Sequence, residues 1–131
     1  KPMKHVKPVE AHEAMQNDPN ILLIDCRTEI EYFYVGHPVR SINIEWHRGL
    51  DFQVNPEFVH EVLQVSGTKH RPIMLICRSG KRTLEAGAAL EAAGFTDVSH
   101  VLEGFEGDLD KSFHRSTLGG WRKAGLPWEQ L

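Results

Sequence analysis

Apolar and polar positions along the chain fall into alternating blocks of two kinds. "ILLIDC" (21–26) and "PIMLIC" (72–77) are unbroken apolar runs of strand length, each bounded by turn-forming or charged residues. Runs of that kind suit strands buried on both faces. "SINIEW" (41–46) alternates and predicts a further strand, and "VSHVLEG" (98–104) a shorter one. Helical spacing fills the gaps. "PVEAHEAMQN" (8–17) gathers Val9, Ala11, Ala14 and Met15 on one side, and "DPN" (18–20) is turn chemistry. "NPEFVHEVLQVSG" (55–67) predicts a helix capped by Asn55, with Pro56 at its first position and Gly67 past its end. After residue 80, Thr83, Ala86, Ala89, Leu90 and Ala93 recur at steps of three and four, and Gly94 suits the C-terminal cap. "EIEYFYVG" predicts a brief helical turn ended by Gly36, and 105–131 is rich in turns. Strands alternating with helices give an α/β fold with a mainly parallel sheet. Sites in such folds lie at the carboxyl ends of strands, where Cys77 falls.

Composition narrows the picture. The 131 residues suit one domain, 1–131. The net charge of −3 gives no global sign of nucleic-acid binding. No apolar run approaches the ~20 residues of a membrane span. No secretory signal is visible, which reads as cytoplasmic placement, or periplasmic if a signal is removed upstream of Lys1. The two cysteines, Cys26 and Cys77, are too few for a disulfide scaffold, although a single bridge between them stays open. The eight histidines show no metal-ligand spacing, so no metal is expected. Trp46, Trp121 and Trp128 read as packing residues.

Charge matters locally. Behind Cys77 come Arg78, Ser79, Gly80, Lys81 and Arg82, ahead of the predicted helix. Cations at a helix N-terminus oppose the helix dipole, a local conflict that needs a purpose. A purpose is available. A free thiol has a pKa near ~8.5, and cations and a helix N-terminus lower it. Gly80 lets successive N–H groups converge on one anion, and Ser79 adds a donor. The segment therefore reads as an anion cradle against a reactive sulfur. Cys26 lacks such surroundings and reads as a buried packing residue, with a resolving thiol as the alternative.

"CRSGKR" resembles the active-site loop of rhodanese-domain sulfurtransferases, often C-R-x-G-x-R. "LLIDCRTEIEY" is similar to that family's first core strand with its Asp-x-Arg, "GHPVRSINI" to its Gly-His-Ile-Pro-Gly-Ala-Ile-Asn-Ile, and "GGW…GLPW" to its closing motif. The ordered matches span roughly 20–128. The resemblance implies a central, mainly parallel five-stranded sheet flanked by helices on both faces. It implies Cys77 as the sulfur-accepting nucleophile, Arg78 to Arg82 as the substrate cradle, and Asp25 and Arg27 as supporting residues. Departures stand out: the proline is one place early, Arg40 replaces a glycine, Cys26 replaces an apolar residue, and 105–118 looks inserted.

The implied reaction moves a sulfane sulfur from thiosulfate or a persulfide to cyanide or a thiol, a protein thiol included, through a Cys77 persulfide. No cofactor is needed; the partners are a small anionic donor and the acceptor, with neither nucleic acid nor membrane. A persulfide relay or redox sensor with little turnover is the alternative. A cysteine phosphatase or arsenate reductase fits less well, because such loops place five residues between cysteine and arginine and this one places four. Phe105, Phe113 and Leu118 give the insertion an apolar side, from which we expect it to fold down as a wall of the entrance.

Overall fold

The computed structural model describes residues 3–131. Five parallel strands form the central sheet: β1 (Lys4–Val6), β2 (Leu22–Asp25), β4 (Ser41–Asn43), β7 (Ile73–Ile76) and β8 (Val98–Val101). Their order is β1-β8-β7-β2-β4. The two apolar runs are neighbours at its centre, with Asp25 opposite Ile76. Both are fully buried, as their lack of alternation predicts.

Side-chain alternation divides the core into two layers. Leu22, Ile24, Ile73, Leu75 and Val98 meet Phe58 and Val62 of α2 (Phe58–Ser66) and Ala86 and Leu90 of α3 (Arg82–Ala92). Leu23, Met74, Ile76 and Val101 face the other way, onto Ala11 and Met15 of α1 (Pro8–Asn17), Phe105 and Trp121. The sheet is thus flanked on both faces, as expected. Cys26 and Cys77 both belong to the α2/α3 layer.

The predicted helix over 55–67 begins at Phe58 instead. Asn55 Oδ1 accepts from the Glu57 amide (2.9 Å), and the Asn55 carbonyl accepts from Phe58 (3.2 Å). Asn55 therefore folds Pro56 and Glu57 into a turn ahead of the helix. Glu31–Val35 forms a short π-helical turn closed by Gly36. Small antiparallel pairs complete the chain: β3 (His37–Pro38) with β9 (Trp128–Glu129), and β5 (His47–Arg48) with β6 (Gln53–Val54).

Arg40, the residue in place of a glycine, has φ +74°. That left-handed backbone disfavours any residue with a Cβ. The side chain offers compensation. Its guanidinium donates to the carbonyls of Met15 (2.7 Å) and Ile21 (2.9 Å), with Pro19 (3.3 Å) and Asp18 (3.4 Å) within reach. Arg40 thus ties the end of α1 and the following turn to the sheet.

Candidate active site

Cys77 leaves the carboxyl end of β7 and is 1% exposed. Its loop turns at Gly80, φ +97°, which brings the Gly80 amide 3.2 Å from Sγ. Thr83, in the first turn of α3, places Oγ1 3.7 Å from the same sulfur. The base of the loop is clamped from behind: the Phe105 amide donates to the Cys77 carbonyl (2.7 Å) and the Glu106 amide to that of Arg78 (2.9 Å). Gly104, φ +64°, permits the close approach, since a Cβ there would collide with the Cys77 carbonyl oxygen and the Arg78 backbone.

These contacts hold the Cys77 thiol down to about 5. The largest cause is a hydrogen bond from the Cys26 side chain; burial opposes it, and the Thr83 amide, the Thr83 hydroxyl and the Gly80 amide add to it. The low value expected from sequence is present, with donors aimed at the sulfur as its leading causes, ahead of the loop's cations, of which Arg82 interacts with the thiolate. Cys26 is consequently no mere packing residue. Its single S–H has two acceptors, the Ile76 carbonyl at 3.4 Å and Cys77. Once Cys77 is a thiolate, the bond to charged sulfur is the stronger. The same interaction, with burial, raises Cys26 well above the usual thiol range, so it remains a neutral donor.

The basic residues divide into different roles. Arg78 is exposed, and Arg78 and Arg82 help to line a cavity of about 570 Å³ with Thr28, Glu31, His47 and Phe52. Arg82 makes a two-point pair with Glu31 (2.8 and 2.9 Å), joining α3 to the π-helical turn. Burial pushes Glu31 up, but Arg82 and Thr28 together draw it down to about 2. Lys81 is exposed and outside that lining, and Ser79 is half-buried. Asp25 and Arg27 are wholly buried and bonded at two points (2.9 and 2.6 Å); Arg27 also donates to the Gly36 carbonyl (2.6 Å) and lies over the Phe105 ring. They brace the strand end beneath the site.

Segment 105–118 contributes nothing to the lining of that cavity. Phe105 is buried, but Phe113 is 80% and Leu118 66% exposed, so the apolar side does not fold down as expected. The loop closes on itself instead. Asp110 accepts from the Ser112 and His114 amides (2.8 and 2.9 Å) and from the Thr117 hydroxyl (2.7 Å), and the Ser116 amide donates to the Glu106 carbonyl (2.6 Å). The hairpin carrying His47 and Phe52 supplies the wall. Sequence reasoning assigned no role to Thr28, Glu31, His47, Phe52 or His100. Glu31 alone carried a signal, within the "EIEY" match.

The rhodanese-like domain family matches residues 8–111, most of the chain. The chain belongs to that family. Membership supports sulfur transfer as the general chemistry of a site centred on this thiolate. Across its full length the rhodanese-like chain also resembles the crystal structure of Rv0390 from M. tuberculosis, with 34% identity, complete coverage of both chains and a TM-score of 0.87. An uncharacterized protein of Rickettsia rickettsii is 27% identical over 97% of this chain and 98% of its own length. The thiosulfate sulfurtransferase of Pseudomonas aeruginosa shares the fold, with a TM-score of 0.72 and 17% identity over 98% of this chain and 20% of its own. None of the described helices is long and apolar enough to cross a membrane.

Proposed function

We propose that this rhodanese-like protein is a sulfurtransferase that takes a sulfane sulfur from thiosulfate or a persulfide onto Cys77 and passes it to cyanide or a thiol. The observation that carries the reading is the Cys77 thiolate, held to about 5 and followed directly by Arg78, which with Arg82 helps to line a cavity. At neutral pH the sulfur is already ionised, so it attacks without a separate base. The thiolate attacks the outer sulfur of thiosulfate; the S–S bond breaks, its electron pair leaves with sulfite, and a Cys77 persulfide remains. Among the described residues that line the cavity, exposed Arg78 is the cation without an ion-pair partner and meets the sulfonate oxygens, while the Gly80 amide and the Thr83 hydroxyl face the inner sulfur. The acceptor then attacks the outer persulfide sulfur and expels the Cys77 thiolate, the anion the site already holds. Two half-reactions through a covalent intermediate predict ping-pong kinetics.

Mass spectrometry after incubation with thiosulfate tests the reading. We expect one added sulfur on Cys77, removed by cyanide, and none on a folded Cys77→Ser variant. A wild-type protein whose Cys77 alkylates readily yet takes up no sulfur from thiosulfate or from a low-molecular-weight persulfide would reject it.

A further inference from the structure

His100 lies in the middle of β8 and is 2% exposed, an unusual place for an imidazole. Both of its ring nitrogens have partners. Nδ1 is 3.1 Å from Thr83 Oγ1, and Nε2 is 2.5 Å from Nδ1 of His5, its register partner on edge strand β1. Thr83 Oγ1 in turn is 3.7 Å from Cys77 Sγ, and His5 is exposed. A continuous polar chain therefore runs from a sulfur that is 1% exposed, through the α3 face of the core, to the solvent side of β1. Thr83, His100 and His5 are all absent from the lining of the cavity bordered by Arg78 and Arg82, so the chain leaves the sulfur by another route.

We propose that His5 and His100 are positioning residues for Cys77: through Thr83 they carry the sulfur's proton out behind the substrate and leave the Thr83 hydroxyl aimed at the sulfur. The inference rests on Cys77 being the reactive group. With Cys77 as a thiol, its hydrogen points at Thr83 Oγ1, the Thr83 hydroxyl donates to His100 Nδ1, and His100 Nε2–H donates to His5 Nδ1. Moving one hydrogen along each link balances without a co-reactant. The sulfur becomes a thiolate, Thr83 keeps one hydrogen that now points at the sulfur, and His100 becomes its Nδ1–H tautomer. His5 takes the surplus proton on Nδ1 and, as an imidazolium, gives one up from Nε2 to water. In the end state the Thr83 hydroxyl cannot turn toward His100, because His100 has become the donor. The fixed hydroxyl stabilises the thiolate at rest and again when the acceptor expels it from the persulfide. The mouth of the site, filled by substrate, takes no part in the proton's exit.

Few other ionisable groups bear on this path. Cys26 faces the sulfur from β2, and Arg82 is held by Glu31 at the start of α3. From β7 the residue opposite His100 is Leu75, which brings no charge. Lys4, beside His5, is paired with Asp97 at 2.8 Å. Burial and then His5 lower His100 from its ordinary value, which keeps it neutral and able to exchange tautomers.

The test is the pH profile of Cys77 alkylation by iodoacetamide in the wild type and in Thr83→Val, Thr83→Ser, His100→Leu and His5→Phe. Thr83→Val raises the midpoint by about one pH unit or more, the loss expected of one hydrogen bond to an anion, and Thr83→Ser restores it. His100→Leu raises it by roughly half a unit, because the hydroxyl is then free to turn away. His5→Phe takes away the acceptor at the outer end of the chain and raises the midpoint in the same direction by a smaller amount. If the His100→Leu and His5→Phe profiles both superimpose on that of the wild type, the relay is overturned. Should His100→Leu fail to fold, the exposed His5→Phe decides alone. Alkylation needs no sulfur donor, so failure to load sulfur from thiosulfate would reject the proposed transfer while leaving the relay standing.

Discussion

At the scale of single residues, the reactivity of Cys77 depends on its neighbours' hydrogens more than on nearby positive charge. Cys26 is the first cause of its lowered value. Cys26→Ala should therefore raise the midpoint of Cys77 alkylation by about one unit, whereas Cys26→Ser keeps a donor and stays near the wild type. An unchanged midpoint in a folded Cys26→Ala protein would show that Cys26 does not act on the thiolate. The sign of the linkage follows. Because folding depresses the Cys77 value, its contribution to stability is present above the unfolded thiol value and is lost as pH falls through about 5. The loop itself was legible, since Cys77 to Arg82 are consecutive and chemically out of place in a helix start. Cys26, Thr83, His100 and His5 were not, because strand register and helix docking bring them to the sulfur from four separate places in the chain.

Elements follow the same division. The long apolar runs and the helix periodicities were visible because burial on two faces or on one stripe leaves a pattern. Strands β1, β3, β5, β6 and β9 hold two or three residues each, too few to show any period. Their pairing is imposed by the elements already in place. Arg40 belongs at this scale, because one side chain closes the junction between α1 and the sheet. Arg40→Ala keeps the left-handed backbone and loses the carbonyl contacts; Arg40→Gly loses the contacts but relieves the backbone. Both should unfold at lower urea than the wild type, with the alanine variant the weaker by about 1 kcal/mol, the left-handed penalty less the glycine's unfolded-state entropy. A glycine variant more stable than the wild type would mean that the guanidinium contacts contribute less than the backbone relief, and an alanine variant as stable as the wild type would mean that they contribute nothing.

For the whole molecule, the decisive asymmetry lies in how the surface around the cysteine is built. In the first cavity the charge of Arg82 is met by Glu31, which also lines it, so the attraction for a small anion comes from exposed Arg78. A second cavity of about 450 Å³ adjoins it, sharing Thr28 and Phe52, and is bordered by Ile30, Leu50 and Gly49 with Glu29 and Glu45. Leu50 is fully exposed, Ile30 70% and Phe52 56%, so apolar surface gathers on one side of the entrance. An anionic donor gains nothing there, whereas the body of a thiol acceptor larger than cyanide has apolar area to cover. Donor and acceptor should therefore depend on different residues. Arg78→Ala should slow persulfide formation from thiosulfate by about tenfold at low salt, and less at high salt, with a smaller effect on transfer to a bulky thiol. Phe52→Ala combined with Leu50→Ser should do the reverse, and cyanide, which touches little of that surface, should hardly notice the change. Replacing 108–117 by a short Gly-Ser link, which spares the Glu106 amide that clamps the Cys77 loop, should leave both half-reactions near the wild type, because that part of the segment closes on itself away from the lining. Rapid-mixing measurement of the two half-reactions separately gives the answer. A loop replacement that abolishes transfer to the bulky thiol while sparing thiosulfate loading would move the acceptor's surface from the β5–β6 hairpin to the insertion.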